Sequence, residues 1–359
     1  MLYKLIYFFH TEYSWLNVFH YITFRTILST LTALLFSLVC GRWVINKLRI
    51  MHVKQYIRND GPASHKSKEG TPTMGGCLIL SAFILTVALW GEPASIYVWI
   101  VMFVTLSFGC IGFADDYIKI TGKSSNGLSA VSKFSMQVLA ALIIALALYY
   151  YPGFDLQLNI PFFKSAAPDI GMLYIPLIVL IIVATSNAVN LTDGLDGLAI
   201  SPVIVAFGSY LIFAYLSGHF KIAAYLHIPY VAGTGEISVV CGAAAGAGLG
   251  FLWYNSFPAE VFMGDVGSLP LGAILGTVAI LTKQELILIL VGGLFVVEAL
   301  SVIFQVIYFK VTGGKRIFRM APVHHHFELK GWPEPKVIVR FWIIAIVLAL
   351  LSISTLKLR

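Results

Sequence analysis

The sequence predicts an all-α integral membrane protein, a polytopic bundle of about ten transmembrane helices. Of its 359 residues, 58% are hydrophobic and 11% are charged, whereas soluble globular domains contain about 25% charged residues. The mean hydropathy is +0.87, and ten apolar segments reach or approach the roughly 20 residues that a helix needs to cross a bilayer. An ordinary soluble enzyme is excluded, because one soluble core of this length cannot hide so much apolar surface.

The ten predicted helices follow one another along the chain, so that residues 1–359 form a single transmembrane domain with no soluble domain of useful size. All ten are apolar runs, and the ninth also contains Glu298 and Gln305. We predict them at 24–40, 74–90, 96–114, 134–151, 171–189, 198–216, 237–254, 266–282, 286–308 and 341–355.

The Lys and Arg residues indicate how this bundle is oriented. Most of the 24 lie in loops that follow odd-numbered segments, and basic loops of membrane proteins are typically cytoplasmic. Both termini are then expected on the non-cytoplasmic face. The same distribution explains the net charge of +7 without nucleic-acid binding. The predicted cytoplasmic loops are 41–73, 115–133, 190–197, 255–265 and 309–340.

Carboxylates gather in those loops. Asp115 and Asp116 follow the third segment, Asp193 and Asp196 follow the fifth, and Asp265 precedes the eighth. Acids at a membrane boundary are costly unless they are paired, hydrated or bound to a cation. Taken singly, each could cap a helix or pair with a lysine. Together they predict one shared site, and hard oxygen ligands of this kind suit Mg²⁺ bound along with phosphate oxygens.

Two further motifs lie on the same face. The segment GTPTMGG at 70–76 follows Lys68 and could present backbone N–H groups to a phosphate, although glycines before a transmembrane helix often serve packing alone. The run of His324, His325 and His326 does not suit zinc, because adjacent side chains diverge whereas zinc ligands converge. We interpret one or two of these histidines as partners of phosphate, with plain loop histidines as the alternative.

Five strings of residues resemble one known family, the polyprenyl-phosphate N-acetylhexosamine-1-phosphate transferases. They occur in the order of that family and extend over most of the chain. The first and last resemble the branch that uses a muramoyl-pentapeptide, whereas relatives that use UDP-N-acetylglucosamine have a different histidine motif. The strings are KEGTPTMGG at 68–76, FADDYIK at 113–119, NLTDGLDGL at 190–198, FMGDVGSLPLG at 262–272 and APVHHHFE at 321–328.

The resemblance implies a Mg²⁺-dependent glycosyl-1-phosphate transferase of the bacterial inner (plasma) membrane, with its site on the cytoplasmic face. Its reaction would move phospho-MurNAc-pentapeptide from UDP-MurNAc-pentapeptide to undecaprenyl phosphate, giving lipid I and UMP in the first membrane step of peptidoglycan synthesis. Membrane lipids are further expected partners, and a homodimer is left open. Two alternatives are a sister transferase for UDP-N-acetylglucosamine and a membrane transporter, which should have inverted repeats and acids in the middle of helices.

The resemblance also implies roles for single residues. Four acids are expected to form the catalytic metal cluster, led by Asp265 and completed by Asp115, Asp116 and Asp193. Phosphates are expected to contact Lys68, Lys119, Lys133, Asn190 and the catalytic His324. Candidates for the uridine pocket are Gly194, Leu195, Asp196, Asn255 and Phe262, and further substrate contacts are Thr73, His325 and His326.

The lipid substrate adds two expectations. A monoester phosphate has a second pKa near 6, so that the attacking lipid phosphate is mostly dianionic and favours direct attack over a covalent aspartyl-phosphate. Its prenyl chain must stay in the bilayer, which predicts a lateral opening lined by 171–189 and 286–308. Because Glu298, Gln305, Gly313 and Gly314 interrupt the ninth apolar run, we expect a break or bend there, with Glu298 facing the protein interior.

Overall fold

The computed structural model describes residues 2–51, 53, 70–124, 126–161 and 167–357. The regular secondary structure of these residues is helical, with an isolated antiparallel bridge between Gln157 and Asp169. The helices are α1 (Leu2–Phe8), α2 (Ile22–Ile50), α3 (Gly76–Trp90), α4 (Ile96–Thr121), α5 (Ala130–Tyr149), α6 (Tyr174–Thr192), α7 (Ile200–Ser217), α8 (Phe220–Leu226), α9 (Gly235–Asn255), α10 (Asp265–Leu281), α11 (Leu288–Val291), α12 (Gly293–Val311), α13 (Val323–Leu329) and α14 (Glu334–Ser354). Short 3₁₀ segments lie at Phe9–Thr11, Ser14–His20, Gly171–Leu173 and Thr355–Lys357.

The predicted membrane bundle is confirmed. Within the described ranges, eight helical segments are long and apolar enough to cross a membrane. Two more helices, α3 and α10, are apolar but shorter, with 15 and 17 residues. All ten predicted segments therefore correspond to helical parts of the structure.

Several predicted boundaries differ from the structure. The helices α5 and α14 begin at Ala130 and Glu334, before the predicted 134 and 341. The helix α2 continues to Ile50 and α4 to Thr121, so the predicted loops 41–73 and 115–133 begin too early. In both helices the backbone hydrogen bonds between residues four apart continue where the side chains become polar. A boundary drawn from hydropathy alone does not detect this continuation. The ninth segment divides into α11 and α12 at Gly292, not at Glu298 or Gln305, since adjacent glycines offer the weaker point in the helix.

Two inner helices, α9 and α10, organise the packing. In α9 the residues Gly242, Gly246 and Gly250 face α2, and a Cβ atom at Gly246 would overlap the carbonyl oxygen of Thr30. Small residues of this spacing let helix backbones approach closely in membranes. The helix α10 is almost wholly buried and packs against α3, α4, α6 and α7. Residue Asp265, at the start of α10, is thereby held at one end of the bundle among its neighbours.

Both described ends of the chain lie opposite that acidic end. Near the N-terminus, Lys4 forms a salt bridge of 2.5 Å with Glu92, just before the start of α4. Near the C-terminus, Lys357 lies 3.9 Å from the ring centroid of Tyr225, beyond the far end of α7. Because Asp115 and Asp116 are near the other end of α4, the two termini share the end remote from the carboxylates, as the odd-even topology predicts.

Candidate active site

Three carboxylates meet where α4 ends and α10 begins. Ligand atoms of Asp115, Asp116 and Asp265 all lie within 4.8 Å of one another. Asp115 and Asp116 are buried at 3% and 4% exposure. Three negative charges so close together need compensating cations. Among the described residues, this group could hold a metal ion.

Two lysines lie among these carboxylates. The ammonium group of Lys119 is 2.5 Å from Asp115 and 3.1 Å from Asp265, and that of Lys133 is 2.5 Å from Asp265 and 3.8 Å from Asp115. Lys119 follows Asp115 by one helical turn, whereas Lys133 comes from the first turn of α5. Three carboxylates and two ammonium groups leave a net negative charge that a cation would offset.

The last turn of α6 orients Asp265. Asn190 donates from Nδ2 to Oδ1 of Asp265 and to Oγ of Ser268, both at 2.8 Å. Ser268 in turn donates to the carbonyl of Gly264. The Asp265 carboxylate is therefore fixed by α4, α5 and α6 together, and its rotamer is set before any ligand binds.

Glycine and backbone amides shape the pocket around the aspartates. Gly264 has φ of 72°, and a Cβ atom there would lie 2.5 Å from Oδ2 of Asp116. That oxygen accepts from the amide of Val266 at 3.0 Å, while Asp115 accepts from the amide of Leu128 at 2.9 Å. Only glycine suits both the positive φ and the small space beside Asp116 at this position. The chain can therefore turn here in direct contact with the carboxylates.

The 70–76 loop is joined to the segment before α10. The amide of Phe262 donates to the carbonyl of Pro72, and the amide of Gly75 donates to the carbonyl of Phe262, both at 2.8 Å. Thr73 is buried in this junction at 8% exposure. The loop thus lies beside the acid cluster, as predicted, while Lys68 falls outside the described residues.

The loop after α6 brings Asp193 towards the cluster. Asp193 follows Thr192 at the end of α6, and burial, together with the charges of Asp265, Asp116 and Asp196, raises its pKa to about 8. Asp193 is not among the three carboxylates whose ligand atoms lie within 4.8 Å of one another, so the four-acid cluster stays a prediction. Asp193 is the fourth carboxylate that the fold brings to this end of the bundle.

Several residues predicted for the uridine pocket brace loops instead of facing an open space. Asn255 accepts from the amide of Gly197 at 3.0 Å and donates to the carbonyl of Val261 at 2.8 Å. Asp196 accepts from the amide of Ala259 at 3.0 Å. Leu195 is 4% exposed and belongs to an apolar cluster with Leu294 and Phe341. These side chains shape the loops from behind, whereas Phe262 is half-buried and its role stays a prediction.

The three histidines take different positions on α13. His324 is completely buried, with Nδ1 3.2 Å from Glu298 on α12. His325 lies 2.7 Å from Glu328, and His326 accepts from the amide of Arg319 at 3.0 Å. The expected divergence of adjacent side chains is confirmed. Of the three, His324 is the one directed at the loop after α6, because a Cβ atom at Gly194 would overlap its Nε2.

Comparison with known proteins establishes the family of this chain. Residues 98–283 match the glycosyl transferase family 4 model, and residues 68–80 match the phospho-N-acetylmuramoyl-pentapeptide-transferase signature 1. The chain is 60% identical to the phospho-N-acetylmuramoyl-pentapeptide-transferase of Syntrophus aciditrophicus and 59% identical to that of Desulforapulum autotrophicum, over 100% of both chains in each case. The chain belongs to the phospho-N-acetylmuramoyl-pentapeptide-transferase family.

A third relative in this family supports the same assignment. The chain is 62% identical to the phospho-N-acetylmuramoyl-pentapeptide-transferase of Desulfatibacillum aliphaticivorans over 96% of each chain. The matched residues 98–283 extend from α4 through α10 and include the three clustered carboxylates, both lysines and Asn190. These relatives do not favour a UDP-N-acetylglucosamine transferase or a transporter.

Three residues of the site were not predicted from the sequence. They are Ser268, which accepts from Asn190; Gly264, which makes room for Asp116; and Glu298 as the partner of His324. Ser268 follows Asp265 by three residues, a spacing that places two side chains on one helix face and that could have indicated it. The contact between Glu298 and His324 joins distant parts of the chain and leaves no local signal.

Proposed function

We propose that this protein transfers phospho-MurNAc-pentapeptide from UDP-MurNAc-pentapeptide to undecaprenyl phosphate, releasing UMP and forming lipid I. The observation that supports this most is the acid and lysine cluster at one end of a membrane bundle, in a chain of the phospho-N-acetylmuramoyl-pentapeptide-transferase family. The site would lie on the cytoplasmic face of the bacterial inner membrane, because the loops at that end are rich in Lys and Arg.

Mg²⁺ is the proposed cation of the site. The oxygen donors of Asp115, Asp116 and Asp265 suit a hard cation that retains water and phosphate ligands, and Asp193 would complete the set. When bound, the ion would supply charge neutralisation for the diphosphate. The protein would supply donors held in place by Asn190 and by the amides of Val266 and Leu128.

The proposed reaction is a direct displacement at phosphorus. An oxygen of the lipid phosphate forms a bond to the β-phosphorus, and the bond from that phosphorus to the bridging oxygen breaks, so that UMP leaves with the bridging oxygen and its electron pair. Lys119 and Lys133, whose ammonium groups already face the carboxylates, would turn to phosphate oxygens. Positioning and charge neutralisation dominate catalysis of this kind.

The nucleotide would lie between the loop after α6 and the segment before α10. Gly194 would line one side of that space, with His324 packed behind it, and Phe262 would line the other, with Thr73 beside the carboxylates. The aromatic ring of Phe262 would stack on the uracil. Asp196, Asn255 and Leu195 would act by holding the loops in position.

The lipid would reach the site sideways, along α12. An apolar groove of about 320 Å³ lies on this helix, on its half nearer the 312–322 connection, and the break at Gly292 separates α12 from α11. The helix α12 also packs on α6, but none of the residues that line the groove belongs to α6, so the opening between 171–189 and 286–308 stays a prediction. Residues Phe304, Ile307, Tyr308, Val311, Ile317 and Phe318 line the groove.

One assay tests the proposal. The purified protein in detergent micelles is incubated with UDP-MurNAc-pentapeptide, with and without undecaprenyl phosphate and Mg²⁺, and UMP release is measured. We expect UMP only when both additions are present. UMP release from UDP-N-acetylglucosamine but not from the muramoyl substrate would favour the sister transferase. Formation of a sugar-phosphate adduct on the protein without lipid would contradict direct displacement.

A further inference from the structure

Glu298 and His324 form a buried pair that joins α12 to α13. Both side chains have 0% exposure, and Nδ1 of His324 lies 3.2 Å from Oε2 of Glu298. Among the described residues, neither carboxylate oxygen and neither ring nitrogen has a hydrogen-bond partner. A buried carboxylate without a compensating group is strongly destabilising, so the imidazole is the described group that can offset the charge of Glu298.

The other edge of the His324 ring faces the candidate active site. Nε2 is so close to Gly194 that a Cβ atom there would overlap it. Gly194 follows Asp193, whose carboxylate is electrostatically coupled to Asp265 and Asp116. The ring therefore lies between the membrane-embedded Glu298 on one side and the loop at the acid cluster on the other.

A second charged pair lies beside this ring. The His325 ring contacts His324 with centroids 4.1 Å apart, and His325 itself pairs with Glu328 at 2.7 Å. From α12, the carboxylate that faces His324 is Glu298. The charge that acts most directly on the His324 ring is therefore that of Glu298.

We infer that Glu298 is a positioning residue that holds the His324 ring by its contact at Nδ1, so that Nε2 is presented to the loop at Gly194, beside which a phosphate of the nucleotide substrate would bind. This inference rests on the proposed function. The 3.2 Å contact at Nδ1 fixes the orientation of the ring, as the partner of the second ring nitrogen does for other functional histidines.

A double-mutant cycle tests the coupling. Glu298→Gln, His324→Gln and the double variant are compared for kcat and for KM of each substrate. We expect each single change to lower kcat/KM for the nucleotide substrate about 10- to 100-fold, as for other outer partners of functional histidines, with the KM for lipid unchanged. In the His324→Gln background, Glu298→Gln should cost no more than about twofold. Losses that multiply, or a fully active Glu298→Gln, would overturn the inference.

A matched control separates this role from general stability. Glu285 is also a buried carboxylate, at 3% exposure, but it lies between α10 and α11 and pairs with Tyr174 and Lys283. Glu285→Gln is expected to lower the melting temperature while leaving the nucleotide KM unchanged in the folded protein. An equal rise of nucleotide KM in Glu285→Gln and Glu298→Gln would assign Glu298 a structural role only.

A spectroscopic measurement tests the pairing of Glu298 with His324 in the wild-type protein, without any Glu298 variant. The wild-type protein with ¹⁵N-labelled histidine is compared by NMR with His324→Gln, which identifies the His324 signals. We expect a ring proton of His324 on Nδ1, the nitrogen that faces Glu298. A bare Nδ1 would overturn the inference whatever the assay shows. Wild-type protein that has this proton on Nδ1 of His324 but releases no UMP would instead contradict the proposed function and leave the pairing intact.

Discussion

At the residue scale, Asp265 has the most partners in the site. It accepts from Lys119, Lys133 and Asn190 and begins α10. Its position between three other helices explains why one carboxylate could govern both the cation and the orientation of the lysines. These partners are also expected to hold the side chain at position 265 in place in a variant that changes only its charge.

Asp265→Asn is expected to lower kcat/KM by about 100-fold or more and to abolish the dependence on Mg²⁺, because a neutral amide replaces an anionic ligand. The measurement is UMP release over a Mg²⁺ titration. Thermal unfolding checks that the variant folds. Turnover at the wild-type level would remove Asp265 from the proposed metal ligands.

The raised pKa of Asp193 leads to a prediction about proton release on Mg²⁺ binding. Because burial and the neighbouring acids raise its pKa to about 8, Asp193 is largely protonated at neutral pH without a cation. Bound Mg²⁺ requires deprotonated ligands, so we expect proton release on binding at pH 7 and higher Mg²⁺ affinity as the pH rises towards 9. Isothermal titration calorimetry in two buffers of different ionisation enthalpy measures this release. Asp193→Asn should reduce this release but not abolish it, because burial and the charge of Asp265 also raise the pKa of Asp116, to about 7. A pH-independent affinity in the wild type would contradict the assignment.

At the element scale, the helices could be predicted wherever an apolar composition alone determines that the chain forms a membrane-spanning helix. The apolar runs at 96–114 and 237–254 became α4 and α9 because lipid or packed side chains surround them. The division at Gly292 could not be located, since Glu298 and Gln305 gave the stronger polar signal. Both found internal partners: Glu298 contacts His324, and Gln305 bonds to the backbone of Ile317 and Phe318. A polar residue satisfied by distant parts of the chain does not break a helix.

The packing of α9 on α2 makes a stability prediction. In Gly246→Ala the added methyl group would overlap the backbone of Thr30, and we expect a loss of about 1–3 kcal/mol from overpacking. Gly208→Ala in α7 is the matched control, because no atom lies within 4 Å of its Cβ position, and alanine is the better helix former. Melting temperatures of the two variants in detergent measure the difference. Equal values would show that the α2 contact adapts to the larger residue.

The groove on α12 makes a prediction about the lipid. A bulky side chain at Ile307 would fill the groove, so Ile307→Trp is expected to raise the KM for undecaprenyl phosphate about tenfold or more, the equivalent of about 1.4 kcal/mol. Binding of the UDP substrate should change less than twofold. Leu350→Trp on α14, exposed at 62%, is the control for a bulky residue on an outer helix face. An unchanged lipid KM in Ile307→Trp would place the lipid route elsewhere.

At the scale of the whole molecule, the sequence indicated which residues meet but not how each is used. Topology alone brought Asp115, Asp193 and Asp265 to one end of the bundle, because alternating crossings return to the same face. Topology could not reveal that the Asn255 side chain forms hydrogen bonds with the backbone of Gly197 and Val261, or that Leu195 is buried with Leu294. Those roles depend on loop geometry. A buried amide and a ligand-facing amide look identical in a linear pattern.

The placement of both termini has a practical consequence for handling the protein. Lys4 and Lys357 lie at the end of the bundle remote from the carboxylates, and the 26-residue helix α4 that spans the distance is ~39 Å long. A reporter fused to either terminus, or a tether to a bead or sensor chip, would therefore leave the acidic end facing free solution. Immobilised protein held in this way would present its reaction centre to dissolved nucleotides from an unobstructed side.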